Sequence, residues 1–508
     1  MSNESLVQPT GQRRAALRAL EEKPLDVLII GGGIVGSGVA RDAAMRGLRV
    51  GLVEQYDFAF GTSSRSSRLL HGGLRYLAQG RVGLVHEASV EKKVIHNIAP
   101  HLGDPLPFIF PTYRNNKNWV LWQLKIGVKI YDLLCGGRNL GASTWLSQNA
   151  VLQLVPGLNA SGLNGAVRYY DGLTNDARLA IDTLRSAAKA GACIVNYCRY
   201  QSATRKELWE CELVDELGQR TFKVSARTVV NATGPWADGL QHSHVKLRLT
   251  KGIHLVVERA RLPVPETVVM TEGKRILFAI PWGDRTIVGT TDTDYNGSLE
   301  NVWADADDIG YVLKITNEHF PNAKLTPPDV ISAWAGLRPL VADPNGKPSD
   351  ISRAHEINNP EPNWWDVAGG KLTTYRLMGE QTVDKIVNAL NGSARNLQPC
   401  RTAKEPLLPA TETAGVSGIV PPDFSRRAVE HYLAREWAVH LDDVMVRRTS
   451  WHWYYRDAAA KAQKVADWMA ELLGWSDATR QAELDRYFQM TGGKKEASAP
   501  SPRQAVSA

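Results

Sequence analysis

Asp26-Val-Leu-Ile-Ile-Gly-Gly-Gly-Ile-Val-Gly36 is the stretch that decides how this chain is read. A short apolar run reads as a buried parallel strand and ends directly on G-x-G-x-x-G, with Gly31, Gly33 and Gly36 in the key places. Ser37 to Gly47 has the composition of a helix, Arg49-Val-Gly-Leu-Val53 reads as a second strand, and Glu54 follows it. Strand, glycine turn, helix, strand and acid within about 30 residues make a dinucleotide-binding βαβ unit. Gly31 permits the tight turn, Gly33 lets the backbone approach a pyrophosphate, and Gly36 lets the helix pack close on the strand. Unpaired N–H groups at the helix start favour the anion. Glu54 would accept hydrogen bonds from ribose hydroxyls, and its charge disfavours a 2′-phosphate, so NADP is not expected. The motif alone leaves NAD and FAD open, and leaves an enzyme and a redox-sensing binding module open.

Three later segments argue for the longer cofactor, FAD. Gly61-Thr-Ser-Ser-Arg-Ser-Ser-Arg-Leu-Leu-His-Gly-Gly-Leu-Arg-Tyr76 is dense in hydroxyls and glycine and suits a chain that crosses close to a ligand. Thr62, Ser63, Ser64, His71 and Gly72 are its candidate contacts, with a turn role equally open for His71. Thr228-Val-Val-Asn-Ala-Thr-Gly-Pro-Trp236 reads as a strand ending in a small-residue turn, with Gly234 at the approach. Val367-Ala-Gly-Gly-Lys-Leu-Thr-Thr-Tyr-Arg376 reads as strand, glycine turn and helix start. Gly370, Leu372 and Thr373 there would offer helix N–H groups to the N1–C2=O edge of a reduced flavin.

Composition limits the rest. With 508 residues, 43% apolar and 22% charged, the chain is globular and long enough for about three domains. The net charge of +7 is mild for this length and selects no partner class. Five cysteines, odd in number and without a C-x-x-C pair, argue against a disulfide framework or a metal cluster and fit a reducing, cytoplasmic setting. Asp292 and Asp294 stand at i and i+2, a spacing commoner in turns than in metal sites, and no metal is assigned. No run of 18 apolar residues exists, and no apolar segment follows Arg13 and Arg14, so neither a spanning helix nor a secretory signal is expected. Residues 1–23 and 492–508 read as flexible tails.

The motifs together resemble the FAD-dependent glycerol-3-phosphate dehydrogenases over roughly residues 26–390. The carriers are Ile30 to Gly47, Ser66 to Leu77, Asn231-Ala-Thr-Gly-Pro-Trp236, Lys251-Gly-Ile-His254, Ile280-Pro-Trp282, Gly289-Thr-Thr-Asp292, Gly336-Leu-Arg-Pro339 and Gly369 to Arg376, in family order. Two departures stand out: Gly379 where the family's signature usually has Ala, and a shorter helical region after about residue 400. The resemblance implies an α/β fold, with a FAD-binding Rossmann-like domain of the D-amino-acid-oxidase type, a β-rich substrate domain and a C-terminal helical domain. The expected oxidoreductase domain spans 24–395. Its FAD layer is mainly 24–80, 160–245 and 345–395, and its substrate layer mainly 81–159 and 246–344; the helical domain spans 400–491.

The implied reaction moves a hydride from C2 of sn-glycerol 3-phosphate to flavin N5 and passes the electrons to a membrane quinone. The resemblance gathers Arg75, Tyr76, His254, Arg338, Arg353 and Lys371 around the substrate. Arg338 and Lys371 are expected to stabilise the developing alkoxide, and His254 to act as general base because its ordinary pKa lies near working pH. Arg75, Tyr76 and Arg353 would hold the phosphate or the terminal hydroxyl. Taken alone, His254 between Ile253 and Leu255 reads more simply as a satisfied structural histidine, and Arg353 and Lys371 as surface residues.

The resemblance further implies peripheral attachment to the cytoplasmic face of the inner membrane, and a homodimer is left open. Trp119-Val-Leu-Trp-Gln-Leu-Lys-Ile-Gly-Val-Lys-Ile-Tyr-Asp-Leu-Leu134 suits an interfacial helix, though a core helix is the plainer reading. Trp451-His-Trp-Tyr-Tyr455 reads first as packing of the C-terminal helices. A glycerol-3-phosphate oxidase that reduces oxygen to peroxide is the neighbouring alternative. A non-catalytic dinucleotide sensor or nucleic-acid binder has no motif in its support.

Overall fold

Leu25–Ile30 pairs in parallel with Arg220–Asn231 on one side and with Val50–Val53 on the other, so Ile30 lies beside both Asn231 and Val53. The structure, a computed structural model, describes residues 9–77, 80–135, 139–341, 355–390 and 397–492, with backbone only at 9, 10 and 75. Trp364–Gly369 adds a fourth parallel strand beyond Arg220–Asn231. The eight-stranded sheet is completed by Cys193–Val195, by His355–Glu361, and by an antiparallel pair, Cys198–Arg205 and Trp209–Asp215. Its five parallel strands end on one side of the sheet, at Ile30, Val53, Val195, Asn231 and Gly369, the edge at which open α/β sheets bind their ligands.

The helix Ile34–Met45 packs its Val39, Ala40 and Ala43 against Ile181, Leu184 and Met378 in one buried cluster. Gly38 of this helix meets Gly379 of Tyr375–Ala389 so closely that a Cβ on Gly379 would lie 2.6 Å from the Gly38 carbonyl carbon. The departure from the family's Ala at 379 therefore has a packing cause: this pair of helices crosses glycine on glycine.

A ten-stranded, mainly antiparallel second sheet faces the first across the site. Its longest pairing joins Leu247–Glu258 to Val330–Val341, with His254 opposite Trp334 and Gly252 opposite Gly336. Leu163–Leu173 belongs here, not to the FAD layer expected from residue 160, because it pairs antiparallel along nearly the whole of Asp104–Tyr113. A second correction concerns the expected flexible tail 1–23. Pro9–Glu22 is a helix that buries Leu17 and Leu20 on the first sheet, and Arg13 donates to Asp215 at 2.6 Å and to the Tyr197 carbonyl at 3.0 Å.

The C-terminal helices Arg426–Arg435, Ala458–Leu473 and Asp477–Thr491 share one apolar cluster with the second sheet, including Trp282, Trp334, Trp451 and Trp453. Trp451 and Trp453 are buried, as the packing reading of that aromatic cluster required. Two ionic clamps tie the same region to the first sheet. Asp57 accepts from Arg447 and Arg448, and Arg178 donates to both oxygens of Glu436. No helix among the described residues is long and apolar enough to cross a membrane.

Candidate active site

A cavity of about 420 Å³ follows the C-terminal ends of the parallel strands, and the second sheet forms its opposite wall. Its lining includes Glu54, Gly31, Gly33, Thr62, Ser63 and Gly234 together with His254, Arg338, Lys371, Leu372 and Thr373.

The Glu54 end is built by backbone geometry. Gly31 has φ +110°, and a Cβ there would stand 2.6 Å from the Ala232 carbonyl oxygen. Gly36 is tighter still: its Cβ would lie 2.0 Å from the Gly31 oxygen. The Glu54 carboxylate accepts from the Gly32 amide at 2.7 Å and the Tyr56 amide at 3.0 Å, which fixes it at the rim of the turn. Burial pushes its carboxyl pKa up, and those amides oppose the shift. Next to the turn, Ile34 N–H donates to Ser63 Oγ at 2.9 Å, so the hydroxyl segment is docked on the helix start. An acid, an open glycine turn at a helix N-terminus and a cationic far end fit a dinucleotide as long as FAD.

The far end is built by strand periodicity. Residues 252 and 254 on one strand and 334, 336 and 338 on its neighbour share one face of the sheet. Gly252 leaves room for Arg338, whose Nη2 would lie 2.3 Å from a Cβ at 252. Gly336 leaves room for the hydroxyl segment, since a Cβ there would stand 2.5 Å from the Arg65 carbonyl oxygen. Arg338 is aimed by three contacts, to Thr290 Oγ1 at 2.9 Å, the Thr291 carbonyl at 3.1 Å and Asp292 at 3.2 Å. Asp294 is occupied with Arg248, so the two acids that might suggest a metal each hold an arginine.

His254 is buried, stacks on Trp334 at 5.4 Å and shares a 2.8 Å hydrogen bond between Nε2 and Ser67 Oγ. Its Nδ1 is buried with no hydrogen-bond partner among the described residues, so the satisfied structural histidine is not what the fold contains. Burial, then Arg338 and Arg68, push its pKa down to about 3. That corrects the expectation of a pKa near working pH: the imidazole is neutral throughout that range. Lys371 Nζ stands 4.3 Å over the Tyr76 ring and 3.5 Å from the Gly72 carbonyl. His71 lines the cavity, and its backbone is held at both ends by Thr373 Oγ1, with N–H at 3.0 Å and C=O at 3.2 Å.

Of the expected cofactor contacts, Gly36, Ser64 and Gly72 do not line the cavity. Gly36 lies under Gly31, Ser64 is buried, and the Gly72 amide donates to Tyr131 Oη at 2.8 Å. Arg353 lies outside the described residues, as does the side chain of Arg75. Two residues were missed. Ser67 is the partner of His254, and Arg68 is buried between the Trp282 and Trp334 rings at 4.4 and 5.2 Å, with Nη2 on Ser450 Oγ at 3.1 Å. The signal was present, since two arginines interrupt an otherwise small and hydroxylic segment.

Comparison with known proteins agrees with this geometry. A family model described as FAD dependent oxidoreductase matches residues 26–385, and one described as the C-terminal domain of alpha-glycerophosphate oxidase matches 413–480. The glycerol-3-phosphate dehydrogenase of Mycobacterium leprae is 34% identical, across 97% of this chain and 92% of its own. The alpha-glycerophosphate oxidase of Streptococcus pyogenes is 37% identical, across 74% of this chain and 72% of its own. Among solved structures, the glycerol-3-phosphate dehydrogenase of Bacillus halodurans, complexed with FAD, superposes with a TM-score of 0.75 at 28% identity, covering 95% of this chain and 98% of that one.

Proposed function

The chain belongs to the FAD-dependent glycerol-3-phosphate dehydrogenases, and on that premise we propose that it oxidises sn-glycerol 3-phosphate to dihydroxyacetone phosphate and passes the electrons to a quinone at a membrane surface. The observation that supports the reading is that Arg338, Lys371 and His254 line the same cavity as Glu54 and the glycine turn. Gly31, Gly33, Glu54, Thr62 and Ser63 would hold FAD, which would supply a two-electron hydride acceptor.

The residues supply the rest. Arg338, braced by Thr290, Thr291 and Asp292, presents a fixed positive charge to the C2 oxygen as its proton leaves. Lys371 adds a second, less directional charge beside Tyr76. His254 is unprotonated across the working range, the form a proton acceptor requires. Its low basicity makes it a weak acceptor in the empty site, and the negative charge of a bound phosphate substrate raises it. Ser67 orients the ring through Nε2. Arg75, Tyr76 and Arg353 are assigned to the phosphate or the terminal hydroxyl on the family resemblance, and the enzyme is assigned to the cytoplasmic side of its membrane on the same ground.

The same site serves a second reading, an oxidase that gives electrons to oxygen, and similarity to the Streptococcus pyogenes oxidase favours it equally. The deciding experiment is an anaerobic visible spectrum of the purified protein before and after sn-glycerol 3-phosphate. Prompt bleaching of the flavin bands supports the substrate assignment, and an unmoved spectrum sinks it. Reoxidation by a quinone in the absence of oxygen favours the dehydrogenase; hydrogen peroxide in stoichiometric amount on admission of air favours the oxidase.

A further inference from the structure

Most of the His254 ring is closed off. It stacks on Trp334 at 5.4 Å, and its Cδ2 edge lies against Gly289, where a Cβ would stand 2.6 Å away. Nδ1 is buried with no hydrogen-bond partner among the described residues. That leaves Nε2 as the nitrogen a proton can reach, and Ser67 Oγ already stands there at 2.8 Å. His254 is 2% exposed, whereas Ser67 is half-buried, and both belong to the cavity wall. A group in the cavity therefore meets the Ser67 hydroxyl on its way to the imidazole nitrogen.

The residues on either side fix that hydroxyl in place. The Ser66 amide donates to Asp176 Oδ2 at 2.8 Å, the Ser66 carbonyl accepts from Trp334 Nε1 at 3.2 Å, and Ser66 Oγ accepts from the Arg68 amide at 3.0 Å. Trp334 thus both stacks on the imidazole and pins the residue before Ser67. At Arg68 the backbone takes φ +57°, and the guanidinium enters the slot between Trp282 and Trp334 while Ser67 stays in the cavity wall. A serine hydroxyl both donates and accepts. Held between a substrate hydroxyl and Nε2, it can take one proton and give another without carrying charge itself.

We propose that Ser67 is a catalytic residue that relays the substrate proton: the C2 hydroxyl gives its proton to Ser67 Oγ as the Ser67 proton passes to His254 Nε2. The substrate O–H bond breaks, an O–H bond re-forms at Ser67, and an N–H bond forms at Nε2. The electron pair leaves C2 with the hydride to the oxidant, FAD, so the C2–O bond becomes a carbonyl. Neutral His254 keeps its own hydrogen on Nδ1, which no donor approaches among the described residues. The proposal rests on the reaction proposed above and deepens it. It also separates Ser67 from a serine that only orients the ring, because the relaying hydroxyl exchanges its proton in every turnover.

Ser67→Val and Ser67→Thr share a shape and differ by the hydroxyl, so they form the test pair in the flavin-loaded, full-length protein. Anaerobic flavin reduction by sn-glycerol 3-phosphate is expected to be about a hundredfold slower in Ser67→Val and within about tenfold of wild type in Ser67→Thr. Binding of dihydroxyacetone phosphate, read from the shift it causes in the flavin spectrum, should agree between the two within about threefold. In mixtures of light and heavy water, the wild-type rate should bow below a straight line, as two protons moving together require. A straight line for the wild type, the mark of one proton moving past an orienting serine, overturns the relay. So does a Ser67→Val protein that retains its flavin and reduces it as fast as Ser67→Thr. The isotope measurement needs no variant and decides the matter even where Ser67→Val does not fold. A wild-type flavin that sn-glycerol 3-phosphate leaves unbleached overturns the substrate reading and the relay with it, whereas a bleached flavin with a straight isotope line overturns the relay alone.

Discussion

Replacing Asp57 by Asn is the sharpest test of how the C-terminal helices hold the cofactor sheet. Asp57 is fully buried and accepts from Arg447 Nε at 2.5 Å and from Arg448 Nη1 and Nη2 at 2.6 and 2.8 Å. Burial alone would raise its pKa, but Arg448 and Arg447 together hold it well below the usual carboxylate range. Asn keeps the shape and one acceptor oxygen, removes the charge and turns an NH2 group toward a guanidinium. Breaking one partner of a buried pair costs about 3–5 kcal/mol. Arg447 still has Asp442 and Asp443, each at 2.6 Å, whereas Arg448 keeps only the Glu436 carbonyl at 2.7 Å and a carboxylate oxygen at 3.9 Å. The lower end applies, about 3 kcal/mol. Urea unfolding of the flavin-loaded protein measures it, read by tryptophan and by flavin fluorescence together, because a chain of this length need not unfold in one step. In the double variant with Arg448→Met, which removes both charges, the penalty should be less than the sum of the single penalties by about 1 kcal/mol or more. The sign with pH is fixed: a carboxylate with a depressed folded pKa stabilises fully above the unfolded value near 3.9 and loses that contribution as pH falls below it. The gap between wild type and Asp57→Asn is therefore expected to be constant from neutral pH to about 5 and to close below about 4. A penalty under about 1 kcal/mol at neutral pH, or a gap that persists in acid, would refute the reasoning.

Three further outcomes are expected. Gly36→Ala places a methyl 2.0 Å from the Gly31 oxygen and should weaken flavin binding about tenfold or more, read as bound flavin per protein on dilution. Lys371→Met should keep the flavin spectrum but slow anaerobic flavin reduction by sn-glycerol 3-phosphate about a hundredfold, in line with loss of one group that stabilises a developing oxyanion. At sub-saturating sn-glycerol 3-phosphate, where the rate of flavin reduction reports the substrate-free protein, His254 should contribute no ionisation near its ordinary value of 6.5, because its folded pKa there lies at about 3; a step near 6.5 that vanishes in His254→Gln would overturn that. Unfolded, the ring takes a proton near 6.5 but folded only near 3, so stability falls as pH drops through that window, and His254→Gln should lessen the fall in an acid denaturation series.

The features legible in the sequence are those with local requirements. Gly31 at φ +110° and Gly36 against the Gly31 oxygen are demands of one turn, and Glu54 directly follows the second strand, Val50–Val53, of the same unit. Two of the three separated segments, Thr228–Trp236 and Val367–Arg376, were readable for the same reason, since each is a strand end followed by small residues, and the third, Gly61–Tyr76, by its density of hydroxyls and glycine. What escaped depends on distant partners. The basicity of His254 is set by its burial and then by Arg338 and Arg68, which strand pairing and a buried aromatic slot bring to it. Gly72 has the residue type of a cofactor contact, but Tyr131 reaches its amide first. Nothing local in Leu163–Leu173 names its sheet, and only its pairing with Asp104–Tyr113 assigns it to the second one. Trp119 to Leu134 invited a choice between core and interface; Leu124, Val128 and Tyr131 of the helix are buried, while Trp122, Ile126, Ile130 and Leu133 are exposed.

The clamp on Asp57 has a consequence for the order in which the enzyme is made. Arg447 and Arg448 follow Asp57 by 390 and 391 positions in the chain. At about 5–20 residues per second on the ribosome, some 20–80 s separate the emergence of the carboxylate from that of the guanidiniums that neutralise it. Over that interval the glycine turn and Glu54 are already synthesised, while the loop that follows them carries a charge its final burial cannot tolerate alone. The loop after the nucleotide turn thus settles only after some 390 further residues have been made, and a chain cut short before Arg447 has every residue of that turn without the ion pairs that close it.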